Sequence, residues 1–251
     1  MENKPKITAA QRRLLFGAVF LMATSSIGPA FLTQTTVFTQ QFMASFAFAI
    51  VASIVIDIGA QLNIWRVLSV SGKRGQDVAN EVFPGLGSFV AVLIIIGGFA
   101  FNIGNVAGAG LGFNAIFGWD VRVGAAITGI FAIIIFLIKN GRAVMDIVTQ
   151  VLGVLMIGIV AYVMIISEPP VAEAAKRAVL PEEPLTMLLP IITLVGGTVG
   201  GYITFAGAHR LIEAGMTGEK NLRFVSHAAN WGILTTGIMR VLLFLAVLGV
   251  L

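Results

Sequence analysis

Two short stretches of this chain set residues that interrupt a helix among residues able to hold a solute: Ser25-Ser26-Ile27-Gly28-Pro29-Ala30-Phe31 and Gly196-Gly197-Thr198-Val199-Gly200-Gly201-Tyr202. Each lies in the middle of an apolar run. A backbone N–H or C=O without a partner costs several kcal/mol in hydrocarbon, so an interrupted helix persists only where protein, water or a bound solute satisfies the freed groups. Half-helix N-termini favour anionic groups and unwound carbonyls favour cations, so the chemistry of such a pair is reversible binding of a small solute. Paired interrupted helices in corresponding halves are the sequence mark of secondary transporters built from inverted repeats. Taken singly, either break is also explained as a packing kink, because Gly and Pro are common in membrane helices. The expected solute-contacting residues are Gly28, Pro29, Ala30, Phe31, Gly200, Gly201 and Tyr202.

Four further side chains are expected along the solute path. Asp57 and Gln61 are four residues apart and share a helix face. An intramembrane carboxylate is a functional candidate by default, and Asp57 serves either coupling or a structural pair with a base. Asn102 and Asn105 stand three apart in a run rich in glycine from Gly97 to Gly112. They either line the path or act as buried amides between helices that small residues bring together. Arg240 lies inside the last apolar run, its partner not nameable from sequence; if the chain ends at Leu251 it is expected to snorkel. His209 and His227 have no carboxylate or thiol at ligand spacing. No nucleophile has a base at motif distance, and Ser71-Gly72-Lys73-Arg74-Gly75 lacks the phosphate-loop spacing and reads as a basic turn. No catalytic residue, metal-ligand set or cofactor is expected.

The elements that must position these residues are membrane spans. Of 251 residues, 57% are hydrophobic and 11% charged, with mean hydropathy +0.96. A soluble domain carries roughly 25% charged residues, and the apolar stretches here exceed the roughly 20 residues that a helical span needs. The spans are read at 14–38, 42–66, 87–117, 122–138, 143–167, 185–212 and 226–251. With the N-terminus inside, twelve Lys and Arg residues fall in inner segments against Arg122, Lys176 and Arg177 outside, which sets the orientation. The first span is too long for a cleaved signal peptide. There is no cysteine, so disulfides and thiolate sites are excluded. The net charge of +4 sits in short loops, which excludes a nucleic-acid partner and leaves the lipid bilayer, a small solute or cation, and a coupling ion. The expected location is the plasma (inner) membrane of a prokaryote, N-terminus cytoplasmic.

The one long polar connection, 169–184, divides the chain into a five-helix repeat at 1–168 and two helices of a second repeat at 185–251. A repeat of two against a repeat of five leads to the expectation that the chain is a fragment.

These residues resemble the Nramp family of divalent-metal transporters. The resemblance runs along the whole chain and rests on Gly28-Pro29-Ala30-Phe31, Gln61, the loop Ser71-Gly72-Lys73-Arg74-Gly75-Gln76-Asp77 ending at Phe83-Pro84, the run Asn102-Ile103-Gly104-Asn105-Val106-Ala107-Gly108-Ala109, and Gly196-Gly197-Thr198-Val199. It implies an all-helical integral membrane protein of LeuT-type inverted-repeat fold, with helices 1 to 7 present and 8 to 10 missing, and metal-ion transport, not an enzyme. The departures bear on cargo. The metal-coordinating Asp and Asn of the family's Asp-Pro-Gly-Asn motif fall on Gly28 and Phe31, and its Met-Pro-His motif falls on Gly200, Gly201 and Tyr202. The family's acidic pair for proton passage appears as Asn102 and Asn105. Dehydrated divalent cations need anionic or several strongly polar ligands, and the soft thioether is absent too. The metal site is degenerate. A small organic acid, amino or oxo, is the alternative cargo, and a non-transporting truncated subunit the third reading.

Overall fold

The structure, a computed structural model, describes residues 17, 19, 26–138, 141–200 and 202–251. Its helices are α1 (Pro29–Phe42), α2 (Phe46–Ser71), α3 (Gly75–Val82), α4 (Leu86–Phe117), α5 (Val121–Leu137), α6 (Gly141–Ile166), α7 (Val171–Arg177), α8 (Leu188–Thr198), α9 (Tyr202–Glu213) and α10 (Leu222–Val250). Short 3-10 turns lie at Met43–Ser45, Pro184–Met187 and Glu219–Asn221. No strand occurs among the described residues.

Four continuous stretches are long and apolar enough to cross a bilayer: Pro29–Ser71, Leu86–Phe117, Pro184–Glu213 and Glu219–Val250. Val151–Ile166, the apolar end of α6, belongs to a fifth apolar stretch, after which the chain bends by 107° into Val171–Arg177 of the polar loop. The sequence reading has seven, and the difference lies in how breaks are counted. Pro29–Ser71 holds 43 residues, about 64 Å of helix at 1.5 Å per residue, twice the hydrocarbon thickness. Met43, at φ 49° and ψ −136°, divides it into α1 and α2, which correspond to the second half of the first span and to the second. The 17-residue apolar helix Val121–Leu137 is at the lower limit for a crossing, about 17 residues, and corresponds to the fourth. Ser25 and most of the first half of span 1 lie outside the described residues.

Two connections contain helices absent from the sequence reading. In the loop read as a basic turn, α3 starts with Asp77 in its first turn, where a carboxylate complements the helix dipole, and Val78 packs against the cluster around Trp65. In 169–184, Arg177 Nε and Nη2 donate to Glu173 and Glu182, each at 2.6 Å. The Glu182 N–H donates to Ser45 Oγ at 3.3 Å, which ties the loop to the turn between α1 and α2. Between α4 and α5 the chain reverses at Gly118, whose φ of 69° suits a residue without Cβ.

The core is built on α2 and α10. Phe46, Ile50, Ser53, Asp57, Gln61, Trp65 and Leu68 recur every three or four residues along one buried face of α2, and α10 packs along that helix as well as α1 and α6. The last apolar stretch, Glu219–Val250, is 56% buried over its most apolar window, whereas Leu86–Phe117 is 6% buried. Helix α4 is therefore apolar on nearly all sides yet peripheral, and it meets the core through its glycines.

Candidate functional site

The first break is shaped by absent side chains. Gly28 caps α1 in extended conformation with Pro29 following it, where a missing N–H costs nothing because the first helical donors are unpaired anyway. The next donor finds a partner on another helix: Ala30 N–H donates to Asn105 Oδ1 of α4 at 3.2 Å. A Cβ on Gly28 would collide with that same oxygen, a Cβ on Gly108 would lie 2.7 Å from Pro29 Cβ, and one on Gly104 would lie 3.2 Å from Ala30 Cβ. Close approach of α4 thus depends on Gly104 and Gly108, and it brings Asn105 to the positive end of α1. The hydroxyls of Thr33 and Thr36 donate to the carbonyls of Pro29 and Leu32, four residues back. Thr35 is fully buried, its Oγ1 unpaired among the described residues.

The second break ends α8 at Thr198, where Val199 and Gly200 N–H both donate to Val195 O at 3.0 and 3.1 Å. A Cβ on Gly200 would lie 2.5 Å from Gly196 O, so this tight turn excludes side chains. Facing it is Arg240 of α10. Its Nη2 donates to Thr198 Oγ1 at 2.7 Å and Leu194 O at 3.4 Å, and its Nη1 donates to Ser53 Oγ of α2 at 3.1 Å. Asp57 Oδ2 stands 3.8 Å from Nη1, and the guanidinium carbon lies 5.3 Å from the centre of the Phe31 ring, within cation–π range. Arg240 is 1% exposed. It does not snorkel, because α1, α2 and α8 enclose it and Asp57 supplies a counter-charge. One guanidinium therefore touches both breaks, Phe31 of the first and Leu194 and Thr198 of the second.

The remaining expected residues are distributed around this centre. Gln61 Nε2 donates to Ala229 O and its Oε1 accepts from Thr204 Oγ1, both at 3.0 Å, so it ties α2 to α9 and α10 one turn away from Asp57. Tyr202 lies against α4, its ring edge-on to Phe101 with centroids 6.4 Å apart. Asn102 is exposed and its Nδ2 donates to Gly98 O of its own helix at 2.9 Å, whereas Asn105 reaches the first break. Gly201 lies outside the described residues. His209 accepts from Gly75 N–H at 3.2 Å, and no group of three His, Cys, Asp or Glu that could hold a metal occurs among the described residues. Of the groups around the guanidinium, Thr198 belongs to the break read from the sequence, whereas Ser53 and Leu194 escape sequence reasoning. Ser53 alone left a signal, one helical turn before Asp57 on the same face.

The interrupted helices in long apolar stretches define a class, the integral membrane proteins of LeuT-type fold. The matching family model, natural resistance-associated macrophage protein-like, spans residues 19–250, and the chain belongs to the Nramp family. It is 58% identical over 240 residues to an uncharacterized membrane protein of Haemophilus influenzae, covering 96% of this chain and 60% of that protein. It is 53% identical over 253 residues to the uncharacterized membrane protein YcsG of Bacillus subtilis, covering 100% of this chain and 62% of that protein. The chain thus spans about three fifths of the length of these curated relatives. Among solved structures it resembles a glutamate-to-glutamine mutant of the Eremococcus coleocola manganese transporter, with TM-score 0.68 and 17% identity over 98% of this chain and 53% of that one. It also resembles the same transporter in complex with an aromatic bis-isothiourea substituted compound, with TM-score 0.58 and 16% identity over 98% of this chain and 52% of that one. These likenesses establish the fold.

Proposed function

We propose that this chain carries the solute site of a secondary transporter of the Nramp type, a transporter rather than an enzyme. The observation that carries the reading is the convergence of two interrupted helices on one buried polar centre, with Arg240 in contact with Phe31 on one side and Thr198 on the other. In this reading residues 1–168 form one repeat and 185–251 open the second. The solute binds among Gly28, Pro29, Ala30, Phe31, Gly200, Gly201 and Tyr202, with Asp57, Gln61, Asn102 and Asn105 along the path. Kinship favours a metal cation as cargo, and the structurally similar protein from Eremococcus coleocola is by its title a manganese transporter.

A second reading has an observation of its own. The only charges at the breaks among the described residues are Asp57 and the Arg240 that neutralises it, and the positions to which the resemblance assigns the family's carboxylate, amide and thioether ligands hold Gly28, Phe31 and Gly200. A small carboxylic acid, held by the N-terminal end of α1, suits this chemistry better than a dehydrated divalent ion. Uptake of manganese and of a panel of amino and oxo acids into proteoliposomes containing the full-length protein separates the two. Micromolar manganese binding that disappears when Gly28 or Thr198 is substituted would establish the metal reading. Carboxylate uptake indifferent to manganese would establish the second. Asn102 and Asn105 are amides that do not titrate, so flux between about pH 5 and 8 is expected to be flat or to depend on Asp57. A steep profile surviving Asp57→Asn would contradict both forms.

A further inference from the structure

The oxygens around Arg240 form a cage of acceptors whose own donors are already committed. Ser53 Oγ donates to Ile50 O at 2.8 Å and Thr198 Oγ1 donates to Leu194 O at 2.8 Å, so the lone pairs of both hydroxyls are what the guanidinium meets. Leu194 O adds a carbonyl from the last turn of α8, the negative end of that helix. Asp57 adds a carboxylate neither of whose oxygens takes a hydrogen bond among the described residues, and Asp57 is fully buried. Two hydroxyls, a carbonyl and one carboxylate are the hard oxygen donors that bind alkali and alkaline-earth cations, and their single negative charge matches a monovalent one. Stability does not explain why an arginine stands here, since a buried ion pair is often no better than well-packed apolar residues of the same volume.

We propose that Arg240 is a tethered internal cation: its guanidinium fills an oxygen cage between α2 and α8 that would otherwise take a dissociable monovalent cation. The junction of the two breaks is thereby held closed without a bound ion. A covalently attached cation cannot leave or be diluted, so the arrangement at α8 is independent of sodium and potassium concentration.

The test is thermal unfolding of the purified full-length protein in chloride salts of lithium, sodium, potassium and choline at equal ionic strength. The native protein and Arg240→Lys, which keeps a cation on α10, are expected to unfold at the same temperature in all four. Arg240→Ala opens the cage, and its unfolding temperature is expected to rise with the logarithm of sodium or lithium concentration but not with choline, as linkage requires of a ligand bound only by the folded state. Adding Asp57→Asn to Arg240→Ala removes the one anionic ligand and is expected to abolish that response. The proposal is overturned if Arg240→Ala is folded and indifferent to all the salts. It is equally overturned if that variant fails to fold even in concentrated sodium or lithium, or if the native protein shows the same response. Because the readout is cation-dependent stability and not flux, the result stands whichever solute is carried.

Discussion

At the first break the groups set free are N–H donors at the positive end of α1, and an uncharged amide oxygen, Asn105 Oδ1, meets one of them at 3.2 Å. At the second the groups presented are a buried carbonyl and a buried hydroxyl from the end of α8, and a full cation meets them, Arg240 at 2.7 Å from Thr198 Oγ1 and 3.4 Å from Leu194 O. Each helix end has drawn a partner of the opposite polarity. The two partners differ in consequence. An amide leaves nothing charged behind when it is removed, whereas the guanidinium is bound up with Asp57, so the second junction concentrates its energetics in one pair and the first spreads them over glycine contacts.

The sharpest way to break this contrast is Asp57→Ala, which leaves Arg240 buried without its counter-charge. A loss of about 3–5 kcal/mol is expected, read by chemical unfolding of the full-length protein, with most of it regained when Arg240→Met accompanies the substitution. Equal losses in single and double variants would show that the two side chains are not coupled. Next is Gly108→Leu, expected to cost about 1–3 kcal/mol by overpacking, since a Cβ there meets Pro29 Cβ at 2.7 Å and its carbonyl carbon at 3.0 Å. Gly97→Leu is the control, because nothing lies within 4 Å of its Cβ position. If both cost the same, the glycine seam is not what seats α4 against the first break.

A smaller effect separates the two asparagines. Asn105→Ala should lose about 1 kcal/mol with the Ala30 hydrogen bond, while Asn102→Ala, whose amide bonds only its own helix, should change unfolding by less than about 0.5 kcal/mol. The smallest effect is outside the membrane, where water screens charge. Hydrogen bonding from Arg177 holds the Glu173 carboxyl below its usual range. Its contribution is therefore present above the unfolded-state pKa and fades as pH falls through the folded one. Glu173→Gln should lower the unfolding temperature slightly at neutral pH and low salt, and match the native protein in acid. A large difference at neutral pH would mean that the exposed loop resembles the buried pair more than solvent screening allows.

Much of the helical framework was legible because its signals are local. Gly28-Pro29 and the four glycines around Thr198 announce interruptions in otherwise apolar runs, and the i, i+4 spacing of Asp57 and Gln61 announces that they share a face of α2. The site's electrostatics were not legible, because Asp57 and Arg240 come from different spans and no periodicity links them. An arginine in the last run looks like one that reaches for the membrane surface until α2 and α8 are seen to enclose it. The asparagines show a finer limit. Three residues on a helix leave an angular offset of roughly 60°, enough to send Asn105 to α1 while Asn102 stays exposed.

The burial of Arg240 also bears on how the chain enters the membrane during synthesis. Ser53 precedes Arg240 by 187 residues, on the order of 10 to 40 s of translation at about 5–20 residues per second. Over that interval α2 must reside in the bilayer with its carboxylate unmet, while an arginine at mid-span costs α10 about 2.5–3.5 kcal/mol in isolation. Insertion of α10 is therefore most favourable where α2 is already waiting beside it, which makes the order of membrane integration, and not only the finished contact, a property encoded by this one guanidinium.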